Sequence, residues 1–578
     1  MTKTISLGRY LFERIRQDPL STRSVFGVPG DFNLTLLDKI DEVDGLTWKG
    51  NANELNAAYS ADGYSRVKSG FEAETGGFAT LITTFGVGEL SALNGIAGSY
   101  AEHVGLLHVV GIPSVASQQK QLMLHHTLGN GDFTVFARMS AMITYTTGVI
   151  RDAANATAEI DRCIRAAYIN QRPTYLAFPA NMVDVQVPAE LLDTPLDLEV
   201  PSNDKDAEEE VLDRVTSMIA KAKNPTIIID ACCARHNATQ EAIDLINLTK
   251  FKFAITPMAK GVKFIDEEHE RYTGVYVGSL SYPHVKSSVE ESDLIISLGA
   301  MLSDFNTGSF SYSFQTKNVI EFHSDYTKIK LANYPEVRMK EALRGLIKSP
   351  KLKSALKDFK PEKVLKDPFV EEKQVSSGPI TQKWLWTRLS SWLREGDVVL
   401  SETGTSSFGI IQTKFPKNTI GINQVLWGSI GYSVGAAFGA VTAAEELDPN
   451  RRVILFVGDG SLQLTVQEIS SMLRHKNNIY VFVLNNSGYT IERLIHGRTA
   501  EYNDIQPWDH LKLLETFKGE NYETLRVSTV NDLNKIFDDE KFAKNNKTRL
   551  IEIMLGEFDS PENLIKQADL LASINKGN

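Results

Sequence analysis

Short apolar runs alternate along this chain with longer segments whose apolar residues recur at helical spacing. The runs that resemble buried strands are 24–26, 106–110, 226–229, 294–297, 453–457 and 479–484. Strands that alternate with helices in this way are typical of parallel sheets covered by helices on both faces. The pattern therefore predicts an α/β fold built from doubly wound parallel sheets.

Two stretches between these patterns resemble linkers. Residues 194–210 hold two prolines and an acidic run, and residues 347–381 are rich in lysine and proline. Such compositions are typical of segments between domains. We therefore predict three domains, which span 1–195, 196–365 and 366–578.

The N-terminus and the longest apolar runs indicate where the protein is located. The first 19 residues carry Leu7, Leu11 and Ile15 at helical spacing, with Glu13 and Asp18 among the basic residues, unlike a signal or transit peptide. The longest mostly apolar runs, such as 435–444, are shorter than the ~20 residues that cross a bilayer. We predict a cytoplasmic protein without a membrane segment.

Composition adds two exclusions. The 578 residues carry 61 Lys plus Arg against 72 Asp plus Glu, a net charge of −11, which opposes nucleic-acid binding. The three cysteines, Cys163, Cys232 and Cys233, form no C-x-x-C pair, so we predict neither a disulfide framework nor a cysteine zinc site. Burial as small apolar residues is the simplest interpretation of these thiols.

One segment carries a specific chemical signal. An apolar run ends in Gly-Asp459-Gly, a helix is predicted over 461–475, and the next strand ends in Asn-Asn486-Ser-Gly488. The right-handed crossover of such a βαβ unit brings Asp459 and Asn486 to the same edge of the sheet. Their side chains and the Gly488 carbonyl offer the hard oxygen ligands that Mg²⁺ prefers, and the helix start near Ser461 would suit a diphosphate.

Two alternatives compete for this segment. Asp459 could cap the helix of an ordinary αβ turn. A nicotinamide site is the other, but its candidate, residues 86–91, lacks the third glycine of the dinucleotide fingerprint. Gly-Asp-Gly followed after 24 residues by Asn-Asn is similar to the thiamine-diphosphate signature, which favours the cofactor interpretation.

Thiamine chemistry needs a carboxyl group against the cofactor's aminopyrimidine ring, and Glu54 is the candidate. Asn51 and Glu54 also have the spacing of a helix capping box, and this structural alternative remains open. Asp31 follows a strand, and His125 and His126 lie among turn residues, where an imidazole could relay protons. A turn aspartate and a surface histidine pair are the corresponding alternatives.

Taken together, the motifs resemble those of the pyruvate decarboxylases, and the match to the yeast members extends over essentially the whole chain. The residues that carry the resemblance are Gly-Val-Pro-Gly-Asp31-Phe-Asn, Asn-Ala-Asn-Glu54-Leu, His125-His126-Thr-Leu-Gly-Asn-Gly, Thr403-Gly-Thr405, Trp427-Gly428-Ser-Ile430-Gly, Gly-Asp459-Gly and Asn486-Ser-Gly-Tyr-Thr-Ile-Glu492. The resemblance implies thiamine-diphosphate-binding folds in the first and last thirds. It also implies that active sites form between subunits, in a homodimer at least, and that the protein forms a homotetramer as family members do.

The resemblance assigns roles residue by residue. Ile430 would hold the cofactor bent, Gly428 would accept a hydrogen bond from the aminopyrimidine, and Asp31, His125, His126 and Glu492 would manage protonation and aldehyde release. The remaining implied cofactor contacts are Thr403, Thr405, Gly460 and Ser461, and the implied substrate contacts are Asp31, His126, Phe305, Ser407, Ile491 and Glu492.

The implied activity is the non-oxidative decarboxylation of pyruvate to acetaldehyde and carbon dioxide, through a thiamine-diphosphate ylid with Mg²⁺, in alcoholic fermentation. Ser407 stands where yeast members commonly have alanine, which leaves an aromatic 2-oxo acid decarboxylase open. A non-catalytic thiamine-binding paralogue is the alternative from another class. Residues 69–79 form a longer segment than expected from the resemblance to family members, and we predict a surface loop there.

Glu102-His103 and Cys232 resemble positions implicated in substrate activation of the yeast enzymes. A thiolate at Cys232 could add reversibly to a ketone, and His103 could supply a cationic neighbour, although 129 positions separate the two. A buried, inert cysteine is the alternative.

Overall fold

The computed structural model describes residues 3–71, 76–365, 375 and 377–575. Three open sheets, each covered by helices, follow one another along the chain. Short 3₁₀ turns lie at Ala180–Met182, Ala189–Asp193, Pro257–Ala259, Thr316–Asn318, Ile410–Gln412, Glu501–Asn503 and His510–Lys512.

The first sheet has six parallel strands in the order β3-β2-β4-β5-β7-β6, and β1 pairs with β8 in a separate antiparallel ribbon. Its strands are β1 (Thr4–Ser6), β2 (Ser24–Gly27), β3 (Thr47–Gly50), β4 (Ala79–Thr84), β5 (Leu106–Ile112), β6 (Thr147–Val149), β7 (Pro173–Pro179) and β8 (Gln186–Pro188). Its helices are α1 (Leu7–Arg16), α2 (Leu34–Asp38), α3 (Glu54–Phe71), α4 (Val87–Ala101), α5 (Val115–Gln119), α6 (Val135–Ser140) and α7 (Ala153–Asn170).

The second sheet has seven strands in the order β11-β10-β9-β12-β13-β14-β15, and its last two pairings are antiparallel. Its strands are β9 (Pro225–Ile229), β10 (Lys252–Ile255), β11 (Tyr272–Val275), β12 (Leu294–Leu298), β13 (Val319–Phe322), β14 (Tyr326–Ile329) and β15 (Ala332–Pro335). Its helices are α8 (Lys205–Ile219), α9 (Ala231–Arg235), α10 (Thr239–Thr249), α11 (Pro283–Glu290), α12 (Asp304–Thr307), α13 (Met339–Lys348) and α14 (Pro350–Ala355).

The third sheet has six parallel strands in the order β17-β16-β18-β19-β21-β20. Its strands are β16 (Val398–Ser401), β17 (Ile420–Ile422), β18 (Val453–Gly458), β19 (Tyr480–Asn485), β20 (Tyr522–Val527) and β21 (Thr548–Met554). Its helices are α15 (Gln382–Leu389), α16 (Thr405–Gly409), α17 (Tyr432–Leu447), α18 (Asp459–Thr465), α19 (Glu468–Arg474), α20 (Thr490–Ile495), α21 (Leu513–Thr516), α22 (Val530–Phe537) and α23 (Glu562–Asn575).

The predicted α/β class with three mostly parallel, helix-covered sheets is confirmed. All six predicted strands are present, with bounds that differ by one or two residues. The single helix predicted over 461–475 is wrong, because α18 and α19 are separate helices on either side of residues 466–467. The first predicted linker becomes helical at Lys205, and the second contains α14 and residues outside the described ranges.

The predicted surface loop at 69–79 is only partly described. Helix α3 continues to Phe71, β4 begins at Ala79, and residues 72–75 lie outside the described residues. The helix therefore occupies the first part of the segment that we predicted as a loop.

Helices α3 and α17 join the first and third sheets at close range. A Cβ at Gly439 would lie 1.7 Å from the Ser60 carbonyl oxygen, so only glycine allows the two backbones to approach this closely. The partly buried Glu446 carboxylate accepts hydrogen bonds of 2.6 Å from both Ser24 and Tyr64. These contacts fix the two sheets against each other. Among the described residues, no helix has the length and apolarity needed to cross a membrane.

Candidate cofactor and metal site

The carboxyl ends of β18 and β19 are adjacent, and this brings Asp459 and Asn486 together as predicted. Asp459 begins α18 and is 2% exposed. Its Oδ1 accepts the Gly460 N–H at 2.9 Å, and its Oδ2 accepts the Gly488 N–H at 3.2 Å. The carboxylate therefore lies against the loop that follows β19.

The Asn486 side chain completes a cluster of oxygens. Its amide oxygen lies 3.1 Å from Asp459 Oδ1 and 3.0 Å from the Gly488 carbonyl oxygen, while its nitrogen faces Thr490 Oγ1 at 2.8 Å. The reversed amide would donate to both oxygens. However, the Thr490 hydroxyl donates to the Glu557 carbonyl at 3.0 Å, so its oxygen is available to accept the Asn486 N–H. Both amide orientations are chemically reasonable. In the one that turns the Asn486 oxygen toward Asp459 and Gly488, three oxygens lie together.

The spacing of these oxygens fits a magnesium ion. Octahedral Mg²⁺ with ligands at about 2.1 Å has neighbouring oxygens about 3.0 Å apart. Burial raises the pKa of Asp459 to about 6, because removal from water disfavours the charged carboxylate. Gly488 has φ +127°, and a Cβ there would lie 2.5 Å from the Asn503 carbonyl oxygen, so the loop needs glycine to present its carbonyl. The donor set fits a hard divalent cation.

The helix expected to bind the diphosphate at its N-terminus is shorter than the sequence suggested. Helix α18 has seven residues, so its dipole is weaker than that of the predicted fifteen-residue helix. Gly460 lies against the Tyr489 ring, which a Cβ would approach to 2.7 Å, and Ser461 is buried in the same first turn. Both residues therefore lie beside Asp459, as the prediction required.

Glu54 begins α3, but the alternative capping box with Asn51 is wrong. Asn53 caps this helix, since its Oδ1 accepts the Asn56 N–H at 2.8 Å. Asn51 instead donates to Glu468 and Ser60, each at 2.8 Å. The Glu54 carboxyl group therefore takes no part in a capping box with Asn51.

The surroundings of Glu54 suit proton exchange. Its carboxyl lies beside Gly88, where an added Cβ would be 3.0 Å from Glu54 Oε1. Burial raises the pKa of Glu54 above its usual value. A half-buried carboxyl with a raised pKa holds its proton more readily than a free one and can still exchange it.

Asp31, His125 and His126 lie together as a second group. His125 Nε2 is 2.5 Å from Asp31 Oδ2, and the Phe32 ring stacks on His125 with centroids 5.0 Å apart. The His125 and His126 rings are 4.6 Å apart, and His126 has φ +63°. Ligand atoms of His125, His126 and Asp31 all lie within 4.8 Å of one another. About half of the Asp31 and His125 side chains is exposed, which suits exchange of protons with a substrate.

The other predicted contacts occupy three nearby segments. The closest atom to a Cβ at Gly428 would be Thr403 Cγ2 at 3.8 Å, so these two residues are neighbours. Ile430 is partly buried, and Thr405 begins α16 and is buried. Ser407 Oγ donates to the Gly404 carbonyl at 3.0 Å, so its hydroxyl is engaged by its own loop.

The second sheet contributes Phe305 to this region. Its ring meets that of Phe408 edge to face, with centroids 5.7 Å apart. Ile491 is partly buried and Glu492 is exposed, both on α20. This helix follows the loop of residues 486–488 that would hold the cation, which we call the metal loop. Phe305 therefore lies next to the helix that carries Ser407.

Within the described part of one chain, Glu54 and the group of Asp31, His125 and His126 are not bonded to the group around Asp459. Among the described residues, no hydrogen bond or ion pair joins Glu54, Asp31, His125 or His126 to the Asp459 loop. Large apolar side chains are exposed near both groups, including Met123 at 83%, Leu128 at 60% and Leu464 at 48%.

The structure brings His103 and Cys232 together despite their separation in sequence. The ligand atoms of His103, Cys232 and His236 lie within 4.8 Å of one another, beside a cleft of about 1910 Å³ between the first and second sheets. The expected thiolate with a cationic histidine is wrong. Burial raises the pKa of Cys232 to about 12, and burial together with Arg172 lowers the pKa of His103 well below its usual value.

This cluster suits an anion better than a metal. Arg172 lies 2.6 Å from His103 Nε2 and must donate there, so the remaining proton of His103 lies on Nδ1, 3.3 Å from His236 Nε2. Metal-bound histidines usually donate the N–H of their second nitrogen to an acceptor, whereas here both ring nitrogens of His103 are already engaged by Arg172 and His236.

Glu102, beside His103, accepts the N–H groups of Leu426 and Trp427 at 2.8 and 3.1 Å, directly before Gly428.

Sequence reasoning missed several residues that support these groups. Phe32 stacks on His125, Glu468 holds the segment before Glu54, and Glu552 lies behind the metal loop. Glu552 carried a usable signal, because it is an acidic residue within an otherwise apolar strand pattern. The others carried none, since their contacts join distant parts of the sequence.

Comparisons with known proteins agree with this geometry. Family models of the thiamine pyrophosphate enzymes match residues 5–134 (N-terminal TPP binding domain), 212–348 (central domain) and 402–553 (C-terminal TPP binding domain). The pyruvate decarboxylase of Kluyveromyces lactis is 61% identical over 574 residues, which cover 99% of this chain and 100% of that protein. Pyruvate decarboxylase isozyme 1 of Saccharomyces cerevisiae is 59% identical over 571 residues, and the Candida albicans enzyme is 57% identical over 572, each with 99% of both chains covered.

Proposed function

The chain belongs to the thiamine pyrophosphate enzymes and, within them, to the pyruvate decarboxylases, and we propose that Asp459, Asn486 and Gly488 bind the Mg²⁺ that anchors its cofactor. It is a thiamine-diphosphate-dependent 2-oxo acid decarboxylase that converts pyruvate to acetaldehyde and carbon dioxide. The observation that carries the metal assignment is that one end of the Asn486 amide lies 3.1 Å from Asp459 Oδ1 and 3.0 Å from the Gly488 carbonyl oxygen, so that these three groups offer oxygens to one cation when the amide oxygen is turned to this side.

Thiamine diphosphate, when bound, supplies a carbon nucleophile and an electron sink for the bond to the departing carboxylate. The protein's part begins at Glu54, whose raised pKa suits a carboxyl that shares a proton with the pyrimidine ring. Gly88 limits where this carboxyl can lie, because its missing side chain leaves the space that Glu54 Oε1 uses. Gly428 and Ile430 would contact the same end of the cofactor.

Asp31, His125, His126 and Glu492 handle the later protons in this proposal. The 2.5 Å contact between His125 Nε2 and Asp31 Oδ2 orients the imidazole, and the Phe32 ring holds it flat. Such a pair can deliver a proton to the reacting carbon and accept one from the product hydroxyl. Glu492, exposed on α20, would complete the group.

The remaining assignments concern the diphosphate and the substrate. We assign Thr403, Thr405, Gly460 and Ser461 to the diphosphate, and Phe305, Ser407 and Ile491 to the wall around the substrate. The engagement of the Ser407 hydroxyl by Gly404 supports an apolar wall, as an alanine would give there. That favours a small 2-oxo acid at this wall over a ligand that needs a polar contact.

We propose that each active site forms between two chains, in a homodimer at least and in a homotetramer by family resemblance. Two observations support this: among the described residues no hydrogen bond or ion pair joins the two groups, and Met123, Leu128 and Leu464 are exposed beside them. Mixing Glu54→Gln chains with Asp459→Ala chains tests it, since only a hybrid dimer contains one intact site. Activity should return on mixing. Mixed chains that stay inactive, although they exchange subunits, would contradict a shared site.

Substrate activation at the cleft beside His103 and Cys232 is a further proposal. The neutral histidines and the Arg172 guanidinium support binding of a carboxylate there, with Cys232 as a buried neighbour rather than a free thiolate. Glu102 connects this place to the segment before Gly428. The binding signal would therefore reach the cofactor end through backbone contacts.

The substrate assignment is tested by one comparison. Protein with Mg²⁺ and thiamine diphosphate is given pyruvate, 2-oxobutanoate, phenylpyruvate and indolepyruvate separately, and carbon dioxide release is measured. We expect the highest kcat/KM with pyruvate. A higher value with the aromatic acids would favour the alternative decarboxylase.

Two remaining assignments are proposals of organisation. The three sheets lie within 1–195, 196–365 and 366–578, which supports these domain boundaries. The free, buried cysteines support a reducing, cytoplasmic location.

A further inference from the structure

A buried acid lies behind the metal loop. Glu552 is 1% exposed, in a strand whose neighbours Leu550, Ile551 and Ile553 are fully buried and apolar. An ionised carboxylate at such a position is costly unless several donors satisfy it. A residue kept there at this cost needs a reason beyond packing.

Three donors from three elements reach this carboxylate. Asn485 Nδ2, at the end of β19, donates to Glu552 Oε1 at 2.8 Å, and His510 Nδ1 donates to the same oxygen at 2.8 Å. Arg526 Nε, on β20, donates to Oε2 at 2.6 Å. The first two donors hold Glu552 toward the metal loop, and the third holds it toward solvent, where the Arg526 side chain is 47% exposed.

Asn485 passes this restraint into the loop itself. Its Oδ1 accepts the Ser487 N–H at 3.3 Å, while its amide nitrogen is held by Glu552. Ser487 has φ +63° and Gly488 has φ +127°. A non-glycine residue in the left-handed region persists only where its surroundings fix it. The pair of hydrogen bonds at Asn485 supplies that restraint.

We propose that Glu552, acting through Asn485, is the positioning residue of the metal loop, which it holds in the shape that directs the Asn486 and Gly488 oxygens at the cation. His510, 2% exposed, supports the same carboxylate oxygen as Asn485. The inference rests on the proposed metal site and adds to it the contacts that maintain its geometry. Partners of this kind typically change metal affinity about 10- to 100-fold when they are removed.

The test measures the dissociation constant of Mg²⁺ by calorimetry at saturating thiamine diphosphate. Asn485→Ala and Glu552→Leu should weaken Mg²⁺ binding at least about 10-fold. Glu552→Gln should stay within about 3-fold, because its amide oxygen can still accept from both Asn485 and His510. Arg526→Ala, which removes only the outer donor, is the matched control and should also stay within about 3-fold.

The outcomes separate positioning from general destabilisation. The Asn485→Ala/Glu552→Leu double variant should be no worse than the more affected single variant, because both act through one contact. Melting temperatures of the metal-free proteins monitor folding. If Glu552→Leu does not fold, Asn485→Ala still tests the inference, because in that variant Glu552 keeps its other two donors, His510 and Arg526. Unchanged Mg²⁺ affinity in folded Asn485→Ala overturns the inference. Unchanged affinity in Asp459→Ala overturns the metal site itself, and the inference with it.

Discussion

Replacing Gly88 by alanine tests the placement of Glu54 with a single added carbon. The new Cβ would lie 3.0 Å from Glu54 Oε1, 3.1 Å from Thr84 Cγ2 and 3.6 Å from Thr83 Cβ. Thr83 and Thr84 belong to β4 and are buried, whereas Glu54 Oε1 is the free end of a side chain. The Glu54 carboxyl is therefore the group that moves.

The size of the effect follows from this distance. The carboxyl must move by a few tenths of an ångström, and since a displacement of about 1 Å can cost about 100-fold, we expect kcat to fall roughly 3- to 30-fold. Stability should change little. Gly→Ala at an ordinary helical conformation contributes about 0.4–1 kcal/mol, and the tight Thr84 contact offsets part of that.

The assay is proton exchange at the thiazolium carbon of bound thiamine diphosphate, together with carbon dioxide release. Ser91→Ala, on the exposed face of the same helix, is the control for changes in helix stability. In a Glu54→Gln background, Gly88→Ala should have no further effect on exchange, because there is no acid left to displace. Equal losses from Gly88→Ala in both backgrounds would refute the reasoning.

Three further outcomes are expected. Glu54→Gln should slow thiazolium proton exchange by at least about 10²-fold with the fold retained, since an amide cannot share the proton; a normal exchange rate would remove Glu54 from the chemistry. Burial raises the pKa of Glu89 to about 7 from 4.5, so its protonated form stabilises the fold, and this stabilisation is lost as the pH rises from about 4.5 to 7. Glu89→Gln should therefore raise the free energy of unfolding at pH 8 by up to about 3 kcal/mol, seen as a higher melting temperature, and should change it little at pH 5. An equal change at both pH values would contradict the burial argument. Because Cys232 is a buried neighbour of Arg172 and not a thiolate, Cys232→Ser and Cys233→Ser should both retain any sigmoidal dependence on pyruvate, whereas Arg172→Leu should abolish it; loss in Cys232→Ser alone would show that the thiol itself takes part.

Much of the fold was predictable because its signals are local. Strands 453–457 and 479–484 follow from apolar runs that end in turn residues, and adjacent parallel strands then bring Asp459 and Asn486 to one edge. The helix between them was predicted too long, because periodicity continues across residues 466–467 while the backbone does not. Hydrophobic spacing detects a buried face, but it does not detect a break in the helix axis.

The sequence by itself determined the α/β class and predicted Asp459, Asn486 and Gly488 as metal ligands, because motif spacing within one βαβ unit is a local property. It predicted Glu54 only from the carboxyl group that thiamine chemistry requires. Only the tertiary structure decided which asparagine caps α3 and that Cys232 lies beside His103 with a raised pKa. It also decided that Glu552 reaches Asn485 from a neighbouring strand. Hydrogen-bond partners and burial depend on how distant segments pack, and the spacing of residues along the chain carries no record of that packing.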